Sequence, residues 1–253
     1  MHSILISLSS FGAAEVRRHG QLWFAQLAQQ AGADGFEVRG ELMLGGESEL
    51  AAIAAALPDM ARVYSSPKGL WALHGQLDHA ALERGFSAAR ALGALRLKMS
   101  IGGYTSASAS SLSELGRLIT DTGVELVIEN DQTESAGTLT ALVPLFEAAD
   151  AHGLNLGMTF DMGNWHWTGE CPLQAAAALA HRVRYVHCKG VQRQPNRWVA
   201  VPLAESVAPW RAILRTQPTN QPWAIEYPLV GDDLLAVTRR EIEQLRHVAR
   251  SLA

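Results

Sequence analysis

Only two cysteines, Cys171 and Cys188, occur in 253 residues. That is too few for a disulfide framework in a chain this long, and two reduced thiols in a cytoplasmic protein are the expectation. Charge is also sparse. Asp, Glu, Lys and Arg make up 18 % of the residues, below the usual quarter, so long solvated tails are not expected. No basic run exceeds an Arg pair and the net charge is −4. Both points argue against a nucleic-acid partner, while a local basic pocket for an anionic substrate stays open. Long apolar runs are missing as well. The opening MHSILISLSSFG has no basic residue ahead of its apolar stretch. That stretch is too short for a secretory h-region or a membrane span. It reads as a first strand, and no membrane partner is expected.

What is present is a large apolar fraction, 48 %, and a regular alternation. Short β-rich runs occur at 4–9 (ILISLS), 35–39 (GFEVR), 62–66 (RVYSS), 95–100 (LRLKMS), 124–130 (VELVIEN), 156–161 (LGMTFD), 183–189 (VRYVHCK) and 222–228 (PWAIEYP). Ala/Leu-rich segments of helical period separate them. One spans 21–32 and stops at Gly32. Another spans 48–57, with Ser48 as its expected cap and Pro58 beyond its end. A third spans 78–93, between a capping Asp78 and Gly93. Further helical stretches fill roughly 108–122, 138–152, 172–181, 206–216 and 233–252. Strands alternating with helices predict a parallel sheet. Eight such units of about 31 residues each predict a closed (β/α)8 TIM barrel, one domain over 1–253. The least regular stretch, GVQRQPNRWVAVPLAE (190–205), reads as a long loop on the face where barrel active sites are built.

Side chains alternate faces along a strand. In VELVIEN the set Glu125, Val127 and Glu129 opposes a bulky apolar set, as do Gly157, Thr159 and Asp161 in LGMTFD, and Ala224 and Glu226 in PWAIEY. The bulky sets suit the helix-facing side and the small or polar sets the barrel interior. In VRYVHCK the inward set is Val183, Tyr185 and His187. Four strands thus each end on an inward metal-type ligand: Glu129, Asp161, His187 and Glu226. Alone, a Glu at a strand end is usually a solvated rim residue, and a lone His usually structural. Four on consecutive strands point to a divalent-metal site, because three carboxylates converging at a barrel mouth repel one another without a cation. Three oxygens and one imidazole suit Mn²⁺, with Mg²⁺, Co²⁺ and Zn²⁺ also compatible.

In order, the strand ends VIEN (127–130), FDMGNW (160–165), VHCK (186–189) and IEYP (225–228) resemble the xylose-isomerase-like sugar isomerase/epimerase barrels. The resemblance covers essentially the whole chain. Within the family, SLSSFGA (7–13), ENDQT (129–133), YVHCKGV (185–191) and AIEYPLVGDDLL (224–235) are most similar to epimerase-like proteins associated with 2-ketogluconate catabolism. The resemblance implies a metal-dependent isomerase or epimerase acting on a keto-sugar or sugar acid, with a carbohydrate as its small-molecule partner and a homo-oligomeric state, dimer or tetramer. It makes Glu129 and Glu226 the acid/base pair as well as metal ligands beside Asp161 and His187. It puts substrate contacts at Asn164, where ketose 3-epimerases carry His, and at Arg193. The family's H-x-K-D run stands as His187-Cys188-Lys189-Gly190, without its acidic member, which removes any role needing that carboxylate.

Other candidates rest on position alone. Lys98 ends its strand facing inward and touches substrate or sits on a solvated rim. Glu37 and Arg39 form a rim ion pair or bind substrate. Lys189 lies one strand step beyond the inward set, within reach of an anionic group. His166, with Trp165 and Trp167, walls off a sugar pocket or simply packs under a loop. Three other functions remain open at this point: a dehydratase on the same barrel, a metal-dependent phosphodiester hydrolase and a non-catalytic sugar-binding barrel.

Overall fold

Eight parallel strands close on themselves in the order β1-β10-β7-β6-β5-β4-β3-β2 in the computed structural model, which describes residues 2–252. The barrel strands are β1 (Ile4–Ser7), β2 (Gly35–Arg39), β3 (Ala61–Ser65), β4 (Arg96–Met99), β5 (Glu125–Glu129), β6 (Gly157–Asp161), β7 (Val183–Cys188) and β10 (Trp223–Ile225). The helices are α1 (Ala13–His19), α2 (Gln21–Gln30), α3 (Gly46–Ala56), α4 (His79–Leu92), α5 (Leu112–Ile119), α6 (Leu139–Ala151), α7 (Pro172–Leu179), α8 (Trp210–Arg215) and α9 (Leu234–Leu252). This is the expected (β/α)8 barrel. None of the described helices is long and apolar enough to cross a membrane.

The parity reading holds at the level of packing except at Val183, which was expected to face inward but lies level with Met158, ahead of a register shift between β6 and β7, and joins the outer core. Leu5, Val63, Tyr185 and Ala224 form a small apolar cluster of their own, the filling of the barrel interior. The bulky alternates, among them Ile128, Met158, Phe160, Trp223 and Ile225, belong to the larger core between strands and helices. Caps follow local chemistry. Asp78 Oδ1 accepts the Ala81 N–H at 2.8 Å, and α4 stops where Gly93 takes a left-handed φ of 62°, a conformation open to Gly at little cost.

Two expectations need correcting. Ser48 does not cap α3: the helix begins earlier, at Gly46, and the Ser48 hydroxyl donates instead to Gly45 O at 2.7 Å. The stretch 190–205 is not a plain loop. It contains an antiparallel hairpin, β8 (Gly190–Gln194) paired with β9 (Arg197–Val201). Pro195 and Asn196 are the two residues between its strands, both turn formers. Gly190 is required at its base, because a Cβ there would lie 2.5 Å from Val201 O.

Candidate metal centre

The four inward strand-end residues meet. One ligand atom from each of Glu129, Asp161, His187 and Glu226 lies within 4.8 Å of the others, at the C-terminal mouth of the barrel. Register explains the convergence: Asp161 is level with His187 across β6 and β7, and His187 with Ala224 across β7 and β10. Glu226 follows directly after β10, its N–H donating to Cys188 O at 3.1 Å. His187 is fully buried. Its Nδ1 lies 2.8 Å from Glu226 Oε2, 3.0 Å from Glu129 Oε1 and 3.8 Å from Asp161 Oδ2.

Asp161 is fixed by backbone. Its Oδ1 accepts the N–H groups of Gly163 and Asn164 at 2.8 and 2.9 Å. Its Oδ2 has no aligned hydrogen-bond donor, although the Lys189 ammonium lies 2.7 Å away. Asn130, which the sequence reading left without a role, holds this strand end. Its side-chain amide donates to Asp161 O and accepts from Asp161 N–H, both at 2.9 Å. The amide thus imitates one more rung of backbone pairing between β5 and β6.

Protein cations surround the carboxylates, so the three are not unpaired as the sequence suggested. Lys98 Nζ lies 2.8 Å from Glu129 and 3.0 Å from Glu37. Lys189 Nζ lies 2.9 Å from Glu226 and donates to Asn164 Oδ1 at 3.0 Å. Arg39 pairs with Glu226 through Nη1. Burial alone raises a carboxyl pKa, yet Lys98 and His187 bring Glu129 below its usual value. His187 and Lys189 bring Glu226 well below the usual range. For His187 burial opposes the charged form, but Glu226 and Glu37 outweigh it and raise the imidazole well above its usual value. For Lys98 burial likewise opposes the ammonium, and Glu129 and Glu37 raise it.

Of the residues singled out as substrate contacts, some meet the cluster and others do not. Lys98 is 1 % exposed, which removes the solvated-rim alternative. Glu37 is fully buried, not a rim residue; its Oε2 accepts from His187 Nε2 at 2.9 Å. Asn164 is beside the cluster, but its side chain is already engaged. Its Oδ1 accepts from Lys189 and from Gln132 Nε2 at 3.1 Å, and its amide donates to Asn130 O at 2.9 Å. The Lys189 stem lies over Gly163, where a Cβ would come within 2.9 Å of it. Arg193 is exposed on β8, with its guanidinium 5.3 Å from the Trp198 ring centre, and it makes no polar contact with the cluster. The His166 ring lies 4.9 Å from the same indole. Trp198, not marked by the sequence reading, therefore gathers both at the hairpin. Trp165 is fully buried in the core.

Two cavities flank the cluster. One of about 240 Å³ is lined by Ser9, Ser10, Lys189 and Glu226. The other, about 280 Å³, is lined by Arg39, Ser65, Lys68, Lys98, Ser100 and Glu129. A larger one, about 470 Å³, lies outside the barrel between α8 and α9 and touches no cluster residue.

A parallel (β/α)8 barrel with three carboxylates and an imidazole gathered at its C-terminal mouth defines the class. The chain belongs to the xylose isomerase-like TIM barrel family, whose model matches residues 25–247. Solved structures agree in fold. A candidate sugar phosphate isomerase/epimerase from Anabaena variabilis superposes with a TM-score of 0.74 at 16 % identity, covering 100 % of both chains. The probable 3-DHS dehydratase AsbF from Bacillus anthracis gives 0.69 at 16 %, over 97 % of this chain and 99 % of that one. The IOLI protein, whose structure holds a zinc atom, gives 0.66 at 10 %, over 99 % and 97 %. A comparison with curated proteins gives no significant match.

Proposed function

We propose that this protein is a divalent-metal-dependent isomerase/epimerase acting on a keto-sugar or sugar acid, with 2-ketogluconate-type acids in its range. The observation that carries the reading is the meeting of Glu129, Asp161, His187 and Glu226 within 4.8 Å. The donor set fits a cation. Asp161 holds one oxygen on backbone N–H groups and leaves the other without an aligned donor. His187 turns Nδ1 toward all three carboxylates. These four residues would hold the ion, Mn²⁺ for preference, with Mg²⁺, Co²⁺ or Zn²⁺ as substitutes. A bound divalent cation supplies Lewis-acid stabilisation of negative charge developing on substrate oxygens.

The chain's own groups move the protons. Glu129 and Glu226 each line a different cavity and so address a substrate from two sides. Either glutamate takes a proton as a carboxylate and returns it as an acid. Abstraction at a carbon beside a carbonyl by one, and return by the other, inverts that carbon. Lys98 beside Glu129 and Lys189 beside Glu226 favour the ionised form of each. A cytoplasmic location suits the free thiols of Cys171 and Cys188.

The test is solvent-deuterium exchange into a panel of ketoses and 2-keto acids with Mn²⁺-loaded protein. Glu226→Gln is expected to abolish exchange while metal stays bound. Undiminished exchange in that variant overturns the acid/base role, and release of water from the substrate would assign a lyase instead.

A further inference from the structure

Glu37 has no task in the proton transfer, yet no carboxylate in the barrel mouth is more enclosed: its side chain is 0 % exposed. Its neighbours form a pattern. His187 Nε2 lies 2.9 Å from its Oε2. Lys98 Nζ lies 3.0 Å from its Oε1 and continues to Glu129 at 2.8 Å. Arg39 Nη1 lies 3.3 Å from its Oε1 and continues to Glu226. Ser7 Oγ donates at 3.5 Å. One donor each therefore links Glu37 to three of the four cluster residues. The fourth, Asp161, is held separately by backbone N–H groups and by Asn130.

We propose that Glu37 is the positioning residue of the metal centre: it fixes which ring nitrogen His187 presents and, through Lys98 and Arg39, places both glutamates of the acid/base pair. The inference rests on the metal-dependent reading above. An imidazole that binds a cation offers one bare nitrogen and keeps a proton on the other. A carboxylate on Nε2 accepts that proton and orients the ring, which leaves Nδ1 facing Glu129 and Glu226 as the ligand atom. The single Lys98 ammonium bridges the two carboxylates, 3.0 Å from Glu37 and 2.8 Å from Glu129, so a shift of Glu37 is passed on to Glu129. The Arg39 guanidinium is planar and is also anchored to Glu41 at 2.9 Å. It transmits position to Glu226 as a rigid fork. A carboxamide in place of Glu37 has one acceptor oxygen and a donor NH₂, and cannot receive His187, Lys98 and Arg39 together.

The experiment compares Co²⁺ binding, by calorimetry and visible absorption, in wild type, Glu37→Gln and Thr159→Val. Thr159 is buried on the inward face of β6 with no hydrogen-bond partner for its hydroxyl, so its variant reports on general disturbance of the barrel. Glu37→Gln is expected to lose about 10–100-fold in Co²⁺ affinity and to shift the absorption band. Thr159→Val should change neither. In Zn²⁺-loaded wild type, nitrogen-15 NMR should place the His187 proton on Nε2, a readout that survives even if Glu37→Gln does not fold. Unchanged affinity and absorption in Glu37→Gln, or a proton on Nδ1 in the loaded wild type, overturns the inference and leaves the metal-dependent reading standing. Wild type that binds no Co²⁺ overturns that reading and the inference together.

Discussion

The two halves of the barrel mouth are built on different plans. Strands β5, β6, β7 and β10 end in Glu129, Asp161, His187 and Glu226, the residues that converge. Strands β2 and β4 contribute Glu37, Arg39 and Lys98, which pair with one another and each reach one residue of the first half. The difference shows what a buried acidic cluster demands of a fold. Desolvating a carboxylate costs on the order of several kcal/mol unless it is paired, and here the opposite wall carries two of the pairing cations, Arg39 and Lys98, while Lys189 follows β7 itself. The protein is therefore expected to fold without metal, with the ion adding to a site that already stands.

Acid acts on the whole comparison at once and should have the largest effect. Glu37, Glu129 and Glu226 are all held below their ordinary pKa by Lys98, His187 and Lys189 against the burial that would raise them. Carboxyls with depressed folded values stabilise the native state above the unfolded value, about 4.3 for Glu. As pH falls below that point the unfolded chain binds protons the native one does not, so stability falls. Melting of the metal-free protein should therefore decline steeply below about pH 4; a flat profile there would contradict the pairing.

Lys98→Met removes a single cation from the basic half. It leaves Glu37 and Glu129 buried with one partner fewer, and a cost of about 3–5 kcal/mol is expected, read from urea unfolding. The same variant should also weaken Co²⁺ binding, because Glu129 loses the ammonium that places it. Asn130→Ala probes the acidic half without altering charge. It strips two hydrogen bonds from the Asp161 backbone, for a loss of about 1–3 kcal/mol, with Co²⁺ affinity weakened through the freed strand end. A ranking in which Asn130→Ala exceeds Lys98→Met would reverse the account of which wall holds the cluster.

The acidic half was the more legible from sequence. Period-2 alternation decides which way Glu129, Asp161 and His187 face, and one residue type at the end of each successive strand is enough to find them. The basic half was legible only as a direction. Parity put Lys98 inward, yet nothing local to β4 says that its ammonium meets Glu37 from β2, since contacts across a barrel depend on register around the whole ring. Asn164 and Arg193 were singled out by their offsets from Asp161 and His187. An offset does not give a side chain's direction where the chain turns. Asn164 enters a short 3-10 turn (Asn164–His166) that faces its amide to Asn130 and Gln132, and Arg193 rides out on the hairpin. That hairpin went unseen because Pro195-Asn196 and the surrounding polar residues mask the alternation of β8 and β9. A two-residue turn between Gln194 and Arg197 was the available signal.

Barrel closure sets an order on assembly. The last strand, β10, hydrogen-bonds between β7 and β1, so Glu226 reaches its companions only when the ring is sealed by the end of the chain joining its beginning. A nascent polypeptide paused before residue 222 would carry Glu129, Asp161 and His187 without the fourth oxygen. A cation that needs all four is then a reporter of the finished ring, and its capture would draw the open forms toward closure by mass action.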